Sequence, residues 1–133
     1  MEGGIIAHQV NLQGKMGAGL ALQIRRRYPA VFDRYQQAYR QGQLQLGQIQ
    51  LIPVNDALYV VNLPAQTDYG IDWRQTDYDA LARCLTGLAD VSRQLNLTPH
   101  LPHGLGCGLA GGDWRVVCGL ILRHCPEAIV CRL

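Results

Sequence analysis

Apolar residues follow two alternating patterns along the chain, short continuous runs and longer segments with helical spacing. Residues 5–7 are an apolar run that leads into polar positions, which is typical of a buried strand ending in a loop. From Leu20, apolar side chains recur at steps of four, four, three and four, with arginines at 25–27 on the other side. This spacing predicts an amphipathic helix, and Pro29 either bends it or opens a second one.

The same alternation continues to the end of the chain. Residues 49–54 and 58–63 predict two strands about a tight turn at Asn55 and Asp56. Helical spacing then runs from Asp77 to Leu95, with Thr76 or Asp77 as its N-cap. The remaining predicted elements are a strand at 97–101 weakened by Pro99 and Pro102, a short helix through 116–121 and a last strand at 128–133.

The order of these elements predicts the class of fold. Strands that alternate with helices favour an α/β layered fold with a mixed, largely parallel sheet. In such sheets the ligand crevice lies at the carboxyl ends of the strands, where strand leads to helix. Two glycine-rich stretches, 14–19 and 104–112, fall at junctions of this kind.

Composition narrows the class of protein. The chain has 133 residues, 48% hydrophobic and 17% charged, which fits a single domain over residues 1–133. The formal charge of +2 is too weak to favour nucleic acid or an anionic membrane as a partner. No apolar run approaches the roughly 20 residues needed to cross a bilayer, and the start lacks a secretion signal. We therefore expect a soluble, cytoplasmic protein.

The cysteines predict neither disulfides nor a metal site. There are five, at 84, 107, 118, 125 and 131, and no pair has the Cys-x-x-Cys spacing. Reduced, mostly buried thiols are the expected state. His100 and His103 precede Cys107, but two histidines three apart on a strand point to opposite faces, so we expect no metal.

The first glycine-rich stretch predicts a loop that approaches a ligand closely. Gly14, Gly17 and Gly19 precede the helix that starts near Leu20, and Lys15, the only lysine of the chain, lies among them. Backbone N–H groups at a helix start can hold a phosphate. The pattern is neither Gly-x-x-x-x-Gly-Lys-Ser/Thr nor Gly-x-Gly-x-x-Gly, so the fingerprints of nucleotide hydrolysis and dinucleotide binding are both missing.

The second stretch is richer in glycine. Five of the nine residues from 104 to 112 are glycine, at the end of a predicted strand. Glycine loses more backbone entropy on ordering than other residues, so packing alone does not account for this density. If the two stretches converge on one crevice, they would bind a diphosphate from both sides.

These motifs resemble the macrodomain family. The run 5–11, the pattern Gly14-x-Met16-Gly17-x-Gly19-Leu20 and the later run 106–114 follow the family in order over nearly the whole chain. The likeness is greatest to the branch of ADP-ribose-1''-phosphate phosphatases and terminal ADP-ribose protein glycohydrolases. It implies a three-layer α/β/α fold with ADP-ribose in the crest crevice, no cofactor, and Asn11 bonded to the distal ribose.

Two departures from the family pattern carry consequences. The chain starts about where the family's second strand begins, so the strand that reads adenine is missing and the edge at 128–133 is left unpaired. We expect a partner chain to cover this edge, most simply in a homodimer. Residues 62–66 also lack the lysine of the glycohydrolase branch, and Ala110 stands where that branch has an aspartate. The covalent lysine route is therefore closed.

The resemblance assigns roles to particular residues. His8 matches a histidine associated with the phosphatase branch and is a candidate general acid or base, the alternative being a structural histidine bonded to backbone. Asp113 is a second catalytic candidate or an N-cap. The expected substrate-binding residues are Asn11, Gly14, Lys15, Met16, Gly17, Ala18, Gly19, Leu20, Leu105, Gly106, Cys107, Gly108 and Leu109.

Three possibilities remain open from the sequence. One is that a domain without its first strand binds little, or binds a different nucleotide-like ligand. The other two are functions on ADP-ribose. One is hydrolysis at the distal ribose of an ADP-ribose derivative, with the 1''-phosphate ester as the leading substrate and backbone N–H groups stabilising charge. The other is a non-catalytic reader of ADP-ribose, which the missing lysine and Ala110 favour.

Overall fold

The computed structural model describes residues 3–68 and 74–132 and contains five strands and four helices within them. Leu133, the end of the last predicted strand, lies outside the described residues. The elements in chain order are β1 (Gly4–Asn11), α1 (Gly19–Arg27), α2 (Pro29–Arg40), β2 (Gln50–Pro53), β3 (Leu58–Gln66), α3 (Tyr78–Leu95), β4 (Pro99–Pro102), α4 (Trp114–His124) and β5 (Ile129–Cys131).

The strands form one mixed sheet in the order β2-β3-β1-β4-β5. β2 runs antiparallel to β3, and every other pairing is parallel. Two apolar clusters fill the space on either side: one packs α3 and α4 on the sheet, the other packs α1 and α2. The predicted α/β fold with a three-layer arrangement is confirmed.

The helices begin and end where local chemistry dictates. Pro29 is the first residue of α2, where its missing N–H costs nothing, so the chain makes two helices rather than one bent helix. Asp77, one of the two predicted caps, accepts a hydrogen bond from the backbone N of Ala80 at 3.0 Å. α3 ends at Asn96, which adopts a left-handed conformation with φ of 53°.

Two strands, β4 and β3, differ from prediction because prolines are tolerated at particular ladder positions. β4 covers Pro99–Pro102 instead of 97–101, with a proline at each end. β3 continues three residues past 63 through Pro64, which pairs with Val10 where the register with β1 shifts. A bulge at this point removes the need for a regular ladder. β5 is also shorter than predicted, at three residues.

β5 forms one edge of the described sheet and carries exposed apolar side chains. Ile129 and Val130 are 49% and 40% exposed, and β5 pairs only with β4 within the described sheet. None of the helices within residues 3–68 and 74–132 is long and apolar enough to cross a membrane.

We predict that the β5 edge supports a homodimer. Light scattering at micromolar concentration should give twice the chain mass, and Val130→Lys should return the protein to the monomer because an inserted charge blocks strand pairing. Leu51→Lys, on β2 at the opposite edge, is the matched control and should leave the dimer intact. A wild-type protein that stays monomeric contradicts the prediction.

Candidate functional site

A cavity of about 620 Å³ opens at the carboxyl ends of the three central parallel strands. β1, β3 and β4 each contribute their last residue to its wall. The lining residues are His8, Gln9, Val10, Asn11, Lys15, Met16, Gly17, Ala18, Gly19, Leu20, Ala21, Gln66, Pro102, His103, Gly104, Leu105, Gly106, Gly108, Leu109 and Ala110. Both glycine-rich stretches therefore face one cavity, as the sequence predicts.

The first loop is organised by the side chain of Asn11. Its Oδ1 accepts hydrogen bonds from the backbone N of Gln13 at 2.9 Å and of Lys15 at 3.4 Å. Its Nδ2 donates to the carbonyl oxygen of Lys15 at 3.0 Å. The amide thus ties the start of the loop to its middle, which is the local bonding that makes Asn frequent in turns.

Tyr35 of α2 reaches the same point from the helical layer. Its hydroxyl lies 2.7 Å from the carbonyl oxygen of Asn11 and 2.8 Å from its Oδ1. The tyrosine is fully buried, and burial raises its pKa far above the ordinary value, so the hydroxyl keeps its proton and remains a donor. α2 therefore holds the end of β1 and the loop in one geometry.

The loop ends at a helix start that has no side-chain cap. Ala18 is the N-cap of α1, and no side chain in the described part of the protein caps the first turn. Lys15 is exposed at the cavity wall and is the one charged side chain among the described lining residues. Unsatisfied amides, the positive end of the helix dipole and a lysine together favour an anion.

The second loop is clamped from behind by Thr76. The Thr76 hydroxyl donates to the carbonyl oxygen of Gly106 at 2.7 Å, and the backbone N of Gln75 donates to the carbonyl oxygen of Ala110 at 2.7 Å. Gly106 has φ of 71°, and a Cβ there would lie 2.8 Å from Oε1 of Gln9, so only glycine fits.

Several backbone N–H groups of this loop, on residues that line the cavity, remain without an acceptor in the described structure. Within the described residues, the N–H groups of Gly106, Gly108 and Leu109 donate to no protein atom. Amides without a partner bind acceptors such as phosphate oxygens. The cavity is thus bounded by donors from two loops.

His8 forms part of the cavity wall but is almost completely buried. Its Nε2 lies 2.6 Å from Oδ1 of Asn62, and its Nδ1 has no hydrogen-bond partner among the described residues. Burial lowers the pKa of His8 to about 4, against a smaller opposing effect of the Asn62 hydrogen bond. The imidazole is neutral at pH 7.

Comparison with known proteins identifies the family. The macro domain family model matches residues 7–121, most of the chain. The chain belongs to the macro domain family. Its sequence is 32% identical over 118 residues to a DNA ADP-ribosyl glycohydrolase of Mycobacterium tuberculosis, covering 84% of this chain and 32% of the relative. The chain thus spans about a third of the length of the curated relatives it matches.

Solved structures show the same macro domain architecture. A protein of unknown function from Bacteroides thetaiotaomicron superposes with a TM-score of 0.90 at 28% identity, covering 100% of this chain and 90% of that one. The macrodomain of Mycobacterium tuberculosis DarG superposes with a TM-score of 0.81 at 26% identity, covering 99% and 89%.

Three of the predicted site residues lie away from the cavity wall of this macro domain. Asp113 caps α4, where it accepts from the backbone N of Arg115 at 2.9 Å and pairs with the Arg115 guanidinium at 3.1 Å. Hydrogen bonding to Arg115 lowers its pKa. The predicted catalytic role of Asp113 therefore has no geometric support, and the N-cap alternative is confirmed.

Gly14 and Cys107 belong to the loops but not to the described cavity wall. Gly14 packs on the ring of Tyr39, where a Cβ would come within 2.7 Å of a ring carbon. The Cys107 thiol lies 3.2 Å from the carbonyl oxygen of Leu105, and burial raises its pKa. A thiol with a raised pKa is a poor nucleophile. The described residues also contain no cluster of three ligands for a metal ion.

The structure adds residues that the sequence did not single out. Gln9 donates to Gln66 Oε1 at 2.7 Å and to Thr76 Oγ1 at 2.8 Å, which joins β1, β3 and the second-loop clamp. His103 also lines the wall and lies against Trp114, with ring centroids 4.7 Å apart. The Gln9 contact joins residues more than 50 apart in sequence, so periodicity could not reveal it.

We predict that Tyr35→Phe loosens the first loop. The loss of one buried hydrogen bond should lower the free energy of unfolding by about 1 kcal/mol. The effect stays this small because Oδ1 of Asn11 still accepts from the backbone N–H groups of Gln13 and Lys15. Urea unfolding measures this change. Tyr39→Phe, at a partly exposed tyrosine of the same helix, is the control and should change stability by less than about 0.5 kcal/mol. Equal effects would contradict the role assigned to Tyr35.

Proposed function

We propose that this macro domain binds ADP-ribose in the crest cavity and hydrolyses a bond at its distal ribose, with ADP-ribose 1''-phosphate as the leading substrate. The observation that carries the proposal is the meeting of two glycine-rich loops across one cavity, each with N–H groups that have no acceptor among the described residues. A diphosphate between the loops would accept from both. The volume of about 620 Å³ lies in the range of about 300–1,000 Å³ typical of ligand sites.

The charge of the cavity supports an anionic ligand. Lys15 supplies a cation at the wall, and no described lining residue is a carboxylate. Asn11 lies at the centre of the strand ends with one amide hydrogen beyond its bond to Lys15, available for a ribose hydroxyl. The named activity of the curated relatives, removal of ADP-ribosyl groups from DNA, is consistent with a ligand of this class.

His8 is the residue to which we assign proton transfer. In hydrolysis of the 1''-phosphate ester, a water oxygen bonds to phosphorus and the bond from phosphorus to the ribose oxygen breaks. Neutral His8 accepts the proton of the water through Nδ1, and the imidazolium so formed then gives a proton to the departing ribose oxygen. The loop amides stabilise the charge that develops on the phosphoryl oxygens.

A second candidate function is a reader that binds ADP-ribose without turnover. Its support is the lining itself: Gln66 and Ala110 are uncharged, and the described wall offers no lysine besides Lys15 and no aspartate. A reader needs only the two loops. The presence or absence of product release separates it from the hydrolase.

We expect His8→Ala to reduce phosphate release from ADP-ribose 1''-phosphate by about 100-fold or more, since a positioned acid or base contributes about 10²–10⁴-fold. Affinity for ADP-ribose, measured by calorimetry, should change only a few-fold. His100→Ala, at a part-buried histidine of β4 outside the described cavity wall, is the control. Equal rates for wild type and His8→Ala remove His8 from the reaction, and binding without any turnover favours the reader.

A second prediction tests the cavity itself. Gly108 lines the wall, and a Cβ built there meets no atom within 4 Å, so Gly108→Val fits the fold but occupies ligand space. We expect ADP-ribose affinity to fall at least about tenfold, a cost of about 1.4 kcal/mol. Gly119→Val, in α4 and equally open, should bind normally. Unchanged affinity in Gly108→Val would place the ligand elsewhere.

A further inference from the structure

A row of polar side chains crosses the sheet on the face that packs against α1 and α2. Gln50 of β2, Asn62 of β3 and His8 of β1 are direct neighbours in the strand register. The row lies between positions occupied by Ile52, Val60 and Val10, which belong to the apolar cluster on that face. Asn62 is fully buried.

Hydrogen bonds run along this row in one direction. Nε2 of Gln50 donates to the carbonyl oxygen of Arg34 in α2 at 3.1 Å, and Nδ2 of Asn62 donates to Oε1 of Gln50 at 2.9 Å. Oδ1 of Asn62 then lies 2.6 Å from Nε2 of His8. These three hydrogen bonds form an unbroken chain from the carbonyl oxygen of Arg34 to the imidazole of His8.

The direction follows from the first acceptor. A backbone carbonyl can only accept, so Gln50 must present its NH₂ group to Arg34 and its oxygen to Asn62. Asn62 must then present its NH₂ group to Gln50 and its oxygen to His8. An oxygen facing Nε2 requires the proton of the neutral imidazole to be on Nε2, and Nδ1 carries the lone pair.

Burial of such a row carries a cost unless every bond is made. A buried polar group without a hydrogen-bond partner lowers stability by about 1–3 kcal/mol. Apolar side chains at these positions would fill the core without any polar group that needs a partner. The row nevertheless leaves one buried atom without a partner, Nδ1 of His8, and His8 forms part of the cavity wall. Stability alone does not account for a network with this one open end.

We infer that Asn62 and Gln50 are positioning residues that hold His8 in its Nε2–H tautomer, so that the unpartnered Nδ1 is the nitrogen left to accept a proton. The inference rests on the proposed function for the use of that acceptor, but the tautomer itself is a property of the ligand-free protein. The wrong tautomer would turn a donor toward the place where an acceptor is needed.

Nuclear magnetic resonance of the His8 ring nitrogens in the ligand-free protein tests the assignment. Wild type should show the proton on Nε2 at pH 7. Asn62→Leu removes the acceptor and should shift His8 measurably toward the Nδ1–H form. The kcat for phosphate release should fall about 10–100-fold, the size of effect known for hydrogen-bond partners that orient metal-ligating histidines, with KM changed less than about twofold.

Two further variants keep the test valid if Asn62→Leu does not fold or if the protein shows no phosphate release. Gln50→Leu, at the half-exposed end of the row, leaves Asn62 free to flip and should shift the tautomer less than Asn62→Leu does. Asn55→Leu, the same substitution in the turn between β2 and β3, should leave His8 unchanged. If Asn62→Leu does not fold, the tautomer shift in Gln50→Leu decides the matter.

The outcomes separate this inference from the proposed function. A wild-type His8 protonated on Nδ1, or a tautomer that neither row variant alters, overturns the inference. Absence of phosphate release from wild-type protein contradicts the proposed reaction instead, and the ring-nitrogen measurement still reports whether Asn62 sets the proton position.

Discussion

The hydrogen bonds of the Asn11 side chain at the end of β1 are the constraint on which the cavity depends. They connect the strand, the first glycine-rich loop and, through Tyr35, the helix α2 that covers the sheet. A loop whose N–H groups lack acceptors among the described residues has few hydrogen bonds of its own to fix its path. For the first loop, the buried amide of Asn11 and the buried hydroxyl of Tyr35 supply these hydrogen bonds, each worth about 1 kcal/mol. In the second loop, the Thr76 hydroxyl has the same role, since it donates to the carbonyl oxygen of Gly106.

In both loops, then, side chains and backbone have different roles: side chains hold the loop in place, and the backbone lines the cavity. Side-chain hydrogen bonds of Asn11 and Thr76 fix the loop paths, whereas the backbone lines the cavity with N–H groups that have no acceptor among the described residues. Glycine suits the second task because it places the main chain at the surface of the cavity with nothing in front of it, as at Gly17 and Gly108. Preorganised amides of this kind need no rearrangement when negative charge arrives.

The sequence predicts the elements that repeat a local pattern and misses the contacts that join distant segments. Apolar spacing predicts the helices, and the glycine runs predict where the chain approaches a ligand, because both signals lie within a dozen neighbouring residues. The clamp from Thr76 to Gly106 and the bond from Asn62 to His8 span 30 and 54 residues, and nothing local marks them. Asp113 is a different case. In the sequence, an aspartate that caps a helix cannot be distinguished from a catalytic one, and only the fold shows that its carboxylate accepts from the backbone N of Arg115.

The charge pattern of the cavity also limits the chemistry that this chain can use. A carboxylate beside a diphosphate would raise the energy of the bound ligand, since two unit charges 4 Å apart interact by about 4 kcal/mol at an effective dielectric constant of 20. The described wall avoids this cost and combines one lysine, backbone donors and a neutral histidine. Such a wall favours binding an anion and accepting a proton. Among the described lining residues it offers no carboxylate for attack on the ribose.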